Sequence, residues 1–376
     1  MRHSITLFLF VGGTSKTKVE RKLELARRAA ARDLLRRIAS SDRIERIVIA
    51  TDEAEWTEEL QPVGIPLHVE IDPRDRPFRF GERLSELTRR YRPDRLLVTG
   101  GGSAPLITEE TWGHILKTLC SEDHLVITNN VHSSDWVGFT DPEQTAEHLK
   151  GLENDNGLAW VLTHDLHLPE RSLPPTAATR FDLDTPVDLL IAHRHPDIGS
   201  NLKATIEELG WPTDLLTHVV MELKREGGHV TIAGRVSSTA WSSIEKATRC
   251  WIRVFSEERG MRASGRQQRG EVRSLLADHL EVREIEGFFE DLSRLTHTLL
   301  LDSRVILAAR GEWPSRSDRF HSDLLQWERV QHPFLRDLTR GAAMAGFPVL
   351  LGGHSLVAGG LMTLAETLTE GKEKEE

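Results

Sequence analysis

Residues 5–22 read Ile-Thr-Leu-Phe-Leu-Phe-Val-Gly-Gly-Thr-Ser-Lys-Thr-Lys-Val-Glu-Arg-Lys, an apolar run that stops at a double glycine and gives way to a basic segment. The apolar run is about half the length a bilayer demands and has no cleavage region, so it reads as a buried first strand rather than as a signal or an anchor. Gly12-Gly13 turns the chain, and residues 21–38, with Leu23, Leu34, Leu35 and Ile38 apolar, have the composition of a helix. Strand, glycine turn and helix in that order open an α/β sheet.

The alternation continues outward from there. A short strand at 46–50 ends at Thr51-Asp52, a third apolar segment spans 66–71, a helix covers 81–91, and a fourth strand at 95–99 runs into Gly100-Gly101-Gly102-Ser103. A helix near 108–120 and strands at 125–128 and 136–139 follow. The expected fold is a mainly parallel, Rossmann-like α/β sheet, which collects its ligands at the carboxyl ends of the strands. The loops at Gly12-Gly13, Asp52, Gly100 to Ser103 and Asn129-Asn130 then share one edge. A connecting helix within 198–213 ends at Gly210-Trp211-Pro212, and strand and helix patterns restart at 228–233. The expected division is a first domain over 1–205, a second α/β or α+β domain over 214–368, and a flexible charged tail over 369–376.

Composition narrows the function classes. With 376 residues, 39% hydrophobic and 28% charged, the chain suits two globular domains and not disorder. Forty-eight Lys and Arg against 58 Asp and Glu give a formal charge of −10, a field that repels nucleic acid and acidic membranes, so neither is an expected partner. Cys120 and Cys250 stand far apart, which excludes a disulfide framework or a thiolate metal site and fits a cytoplasmic setting. His164, His167, His193 and His195 lack a zinc spacing.

Three motifs then come in a telling order: the loop from Gly12 to Lys22, the glycine-rich 100–103 stretch, and the acidic Asp182-Leu183-Asp184-Thr185-Pro186. Backbone N–H groups at a glycine turn before a helix, with an ammonium beside them, suit a polyphosphate. This order resembles the GT-A-type nucleotidyltransferases over roughly residues 1–200, in particular the molybdenum-cofactor guanylyltransferase and phospholactate guanylyltransferase groups. The family's opening GGxSxRMGxxK is met by Gly12, Gly13, Ser15 and Lys22, with Thr17 and Val19 where it has Arg and Gly. Its Asp-x-Pro-Leu is met by Ser103-Ala104-Pro105-Leu106, and residues 181–189 resemble its Asp-x-Asp-Thr-Pro-x-Asp-Leu segment.

The resemblance implies an NTP held by Gly12, Gly13, Ser15, Lys16 and Ser103, a catalytic Lys22, and Mg²⁺ on Asp182 and Asp184. It implies transfer of NMP to a small phosphorylated acceptor with release of pyrophosphate, a reaction that asks for alignment and charge neutralisation more than for covalent work. Thr17, Val19 and Ser103 keep a second reading open, a catalytically degenerate nucleotide- or phospho-ligand-binding regulator on the same scaffold. A glycosyltransferase using Asp182-Leu183-Asp184 as its metal motif is a third. In the second half, Arg259, Arg262, Arg266 and Arg269 recur at helical spacing but are interrupted by Gly260 and Gly265, which suggests a looped, guanidinium-lined anion site. Gly352-Gly353-His354-Ser355 after an apolar strand is a second turn able to cradle an anion. A homodimer is the one oligomer under consideration.

Overall fold

The computed structural model describes residues 3–13, 15–58, 60, 64–73 and 77–373. Packing divides the chain into two compact units: Met1–Ser15, Glu24–Arg180 and Gly199–Thr205 form the first, and Lys16–Leu23, Phe181–Ile198 and Ile206–Glu376 the second.

The first unit is built on seven strands, β1 (Ile5–Phe10), β2 (Ile44–Thr51), β3 (Leu67–Ile71), β4 (Arg95–Gly100), β5 (Val126–Thr128), β6 (Trp136–Thr140) and β7 (Glu170–Ser172), in the order β3-β2-β1-β4-β6-β5-β7. Every pairing is parallel except those of β6 with β4 and β5. Alternate residues of the central strands serve opposite faces. Ile5, Leu7, Leu9, Ile47, Ile49 and Leu97 join one core with Ala31, Leu34 and Leu35 of α1 (Lys18–Ile38) and Ile115 and Leu119 of α3 (Glu109–Ser121). Phe8, Val48, Ala50, Leu96 and Val98 join another with Leu84 and Leu87 of α2 (Phe80–Tyr91). Strands buried on both faces read as unbroken apolar runs, which is why β1 looks like a fragment of a membrane span.

α1 starts in a capping box: the Glu20 carboxylate accepts from the Lys16 N–H at 2.6 Å and the Thr17 N–H at 3.2 Å, and the Thr17 hydroxyl accepts from the Glu20 N–H at 3.4 Å. This early start, three residues ahead of the expected one, puts Val19 in the first turn with its side chain buried, where a loop glycine would have no role.

The second unit holds a four-stranded sheet, β8 (His229–Gly234), β9 (Trp251–Ser256), β10 (Thr298–Asp302) and β11 (Val349–Gly352), ordered β11-β10-β8-β9 and parallel throughout. It is thus α/β and not α+β. Leu299, Leu301 and Leu351 pack with Phe288, Leu335 and Leu338 in its core. The expected connecting helix is Ser200–Leu209, ended where Gly210 takes φ +62° ahead of Pro212, and a further helix, Asp214–Lys224, follows it. Residues 181–198, which the sequence division at 205 kept with the glycine loop, pack within the second unit. The expected tail is helical at its start, since the last helix runs Gly359–Glu373; residues 374–376 lie outside the described residues. No described helix is long and apolar enough to cross a membrane.

Candidate nucleotide edge and acidic turn

In the first unit the parallel run of β1 to β5 delivers their carboxyl ends to one margin, as the strand pattern required. The chain leaves β1 toward β2 on one side and leaves β4 toward β6 and β5 on the other, so β1 and β4 flank a topological switch point. Both are followed by glycines. The Gly101 N–H donates to the Phe10 carbonyl at 3.0 Å, and a Cβ on Gly101 would stand 3.0 Å from a Val11 methyl, so a side chain there would press on Val11 where the two loops meet. Ser103 follows, its N–H donating to the Gly100 carbonyl at 3.3 Å, with little of the side chain left to solvent. Asn129, just past β5, donates from Nδ2 to Asp135 at 2.6 Å.

Two carboxylates frame the turn after β1. A Cβ built on Gly12 would lie 3.6 Å from Asp52 Oδ1 and 3.8 Å from Asp72 Oδ2, and the Gly13 N–H donates to Asp52 Oδ2 at 3.4 Å. Burial raises the Asp72 carboxyl above its ordinary range against the pull of the Arg83 guanidinium, 2.9 Å away, and the Asp52 charge adds to the rise. Ser15 donates to Glu24 at 2.6 Å. Thr14 lies outside the described residues.

The other expected site residues belong to the second unit. Lys16 contributes its N–H to the Glu20 cap. Lys22 Nζ donates to the Leu209 carbonyl at 3.0 Å and sits 5.5 Å from the centre of the Trp211 ring. In the Asp182-Leu183-Asp184 stretch the leucine is fully buried, Asp182 is half-buried and Asp184 is exposed, the alternation of an extended segment. The Ser355 hydroxyl donates to the Asp182 carbonyl at 3.1 Å and so ties this stretch to the Gly352-Gly353-His354-Ser355 turn.

Thr185 and Pro186 open the helix Pro186–His193 as N-cap and N1. Asp188 Oδ2 accepts from the Asp184 N–H at 3.0 Å, the Thr185 N–H at 2.7 Å and the Thr185 hydroxyl at 3.0 Å. Complete burial, then the Asp184 charge, push Asp188 up to about 8 although Thr185 and Ser355 oppose the rise. It serves as a cap of this helix. His354 keeps a solvent-exposed edge, yet desolvation by the surrounding protein and then the Arg235 cation lower it to about 4, so the imidazole is neutral.

Asp182 and Asp184 offer hard oxygen donors, the type Mg²⁺ prefers. Among the described residues no group of three or more His, Cys, Asp or Glu is set to hold a metal. A divalent ion on the pair would complete its shell with phosphate oxygens and water.

The arginine stretch forms turns over 259–270 and not a helix. Arg266 pairs with Glu258 and donates to the Arg259 carbonyl at 2.8 Å, and Arg269 donates to Glu271 at 2.9 Å and the Ser264 carbonyl at 3.0 Å. Half of the expected anion site is therefore engaged in folding its own loop. Arg259 and Arg262 are the members for which no such bond is seen.

Asp72 was not singled out by any motif: it follows a short edge strand, and only the register of β3 on β2 shows that it reaches Gly12. Trp211 stood in the sequence as a helix stop and not as a partner of Lys22.

No known family profile matches the chain, and no curated protein does. Solved structures similar to it include a protein provisionally named a nucleotide-diphospho-sugar transferase from Desulfovibrio desulfuricans G20, 16% identical over 55% of this chain and 95% of that one, with a TM-score of 0.42. A cytidylyltransferase from Leptospira borgpetersenii serovar Hardjo-bovis is 17% identical over 56% and 94%, TM-score 0.36. Rv0371c from Mycobacterium tuberculosis H37Rv, in complex with manganese, is 19% identical over 50% and 96%, TM-score 0.33. The strand orders themselves define the chain as a mainly parallel α/β protein with a second α/β unit.

Proposed function

We propose that the chain binds a nucleoside triphosphate at the carboxyl ends of β1 and β4 and transfers its nucleoside monophosphate to a small phosphorylated acceptor. The observation that carries this reading is the placement of two glycine turns after the adjacent strands of a switch point, where backbone N–H groups can meet phosphate oxygens. An acceptor phosphate oxygen attacks the α-phosphorus, a new P–O bond forms as the α–β bridge breaks, and pyrophosphate leaves. Bound Mg²⁺ would neutralise the leaving charge, with Asp182 and Asp184 as its protein ligands. Gly12 and Gly13 admit the phosphates, and Ser103 closes the β4 side of the edge.

The degenerate-regulator reading has an observation of its own. The Gly13 N–H is turned to Asp52, and the Lys16 and Thr17 N–H groups to Glu20, so the loop spends on carboxylates the donors a triphosphate would use. Pyrophosphate release with mixed NTPs, Mg²⁺ and phosphorylated acceptors separates the readings. The transferase reading expects release that falls at least about 100-fold in Asp184→Ala, the scale of losing a metal ligand. NTP binding without release would leave the regulator, and turnover of nucleotide sugars in place of NTPs would leave the glycosyltransferase.

A further inference from the structure

The second unit contains a cavity of about 540 Å³ whose wall includes Lys18, Lys22, Trp211, His321, Gln326 and Arg329. Its volume suits a small organic molecule. Three permanent cations and one imidazole line it, and no carboxylate does. Glu20, the acidic residue lying between the two lysines in sequence, is spent on the helix cap. Three cations gathered without a counter-charge repel one another, so the site gains most from a ligand that brings negative charge.

The geometry also provides for a flat, apolar body. The Trp211 ring lines the cavity with Lys22 Nζ 5.5 Å from its centre, and Lys22 is fixed there by the Leu209 carbonyl at 3.0 Å. His321 Nδ1 donates to Gln326 Oε1 at 2.8 Å, which holds both side chains at the wall. An aromatic plane beside fixed cations suits a base stacked on the indole and phosphates on the ammonium and guanidinium groups.

We propose that this cavity is a second ligand site, for a nucleotide or a similar phosphorylated molecule with a planar portion, held by Lys18, Lys22 and Arg329 and stacked on Trp211. It needs no divalent metal, because the protein itself supplies the neutralising charge. The proposal stands whether or not the edge of the first sheet binds a triphosphate.

The test is calorimetric titration of the full chain with ADP and, separately, with inorganic pyrophosphate, both in EDTA. Arg329 is exposed and Trp211 borders solvent, so neither truncation threatens the core; thermal melting confirms that each variant folds. Arg329→Ala is expected to weaken both probes about ten-fold, the scale of one charge-assisted hydrogen bond. Trp211→Ala is expected to weaken ADP about ten-fold and to leave pyrophosphate unchanged, a split that a general loss of structure would not produce. Lys203→Ala, which removes an exposed cation that does not line the cavity, is expected to alter neither. Absence of binding by wild type at millimolar ligand, equal affinity in Arg329→Ala, or an equal loss in Lys203→Ala would each overturn the assignment.

Discussion

Asp323→Ala is expected to destabilise the second unit by about 3–5 kcal/mol, read as the shift in its chemical denaturation midpoint at unchanged slope. Arg304 Nη1 and Nη2 each donate to one Asp323 oxygen at 2.6 Å, and Nη1 also reaches the Ser303 hydroxyl at 3.0 Å and the Gly352 carbonyl at 3.2 Å. Asp323 is fully buried and Arg304 nearly so. Burial alone would discharge both groups, but two-point contact with the Asp323 carboxylate outweighs it and holds Arg304 above its ordinary pKa. Truncating one partner strands the other charge in the interior. Replacing both at once, as in Arg304→Met with Asp323→Leu, should cost far less, because no buried charge remains. A double variant as unstable as the single one would show that the pair acts through packing and not through charge.

Gly234→Ala should be nearly as damaging, at about 4 kcal/mol, from backbone strain of about 1–3 kcal/mol plus overpacking of about 1–3 kcal/mol. Gly234 ends β8 at φ +121°, and a Cβ there would lie 2.4 Å from Asp302 Cβ and 3.3 Å from its Cα. Asp302 cannot easily yield: it accepts from Arg235 Nε at 2.6 Å and Nη2 at 3.1 Å and from the Arg304 N–H at 3.2 Å. Gly210→Ala is the control, since that glycine also has positive φ, +62°, but nothing stands within 4 Å. It should cost only about 1 kcal/mol, the backbone term alone. Equal losses at the two positions would mean that contact with Asp302 contributes nothing.

The strands were legible because burial on both faces leaves an unmistakable trace. β1, β2 and β4 appear as apolar runs ending at glycine or aspartate, and the shared edge follows from their parallel order. What escaped notice depends on long-range register. Asp72 reaches Gly12 only through the pairing of β3 with β2, and the cavity joins residues 18–22, 211 and 321–329, which no spacing rule connects. Lys22 shows the limit most clearly, for its place in the motif assigns it to the glycine loop, while its amine, bound to the carbonyl of Leu209, lines the second unit's cavity beside Trp211. The arginine stretch is similar: its spacing and the nearby Glu258 and Glu271 were visible, but which arginine each engages emerged only once the turns were in place.

The central claim is that a triphosphate enters the gap beside Gly12. Calorimetric titration of Mg²⁺-loaded NTPs into wild type and Gly12→Ala tests it most directly, because a methyl there meets Asp52 and Asp72 only at ordinary contact distance, 3.6 and 3.8 Å, and so spares the fold while occupying the space beside the turn. The expected result is an unchanged melting temperature with NTP affinity reduced at least about ten-fold, or 1.4 kcal/mol. Undiminished binding by Gly12→Ala would contradict the claim, as would wild type that binds no NTP.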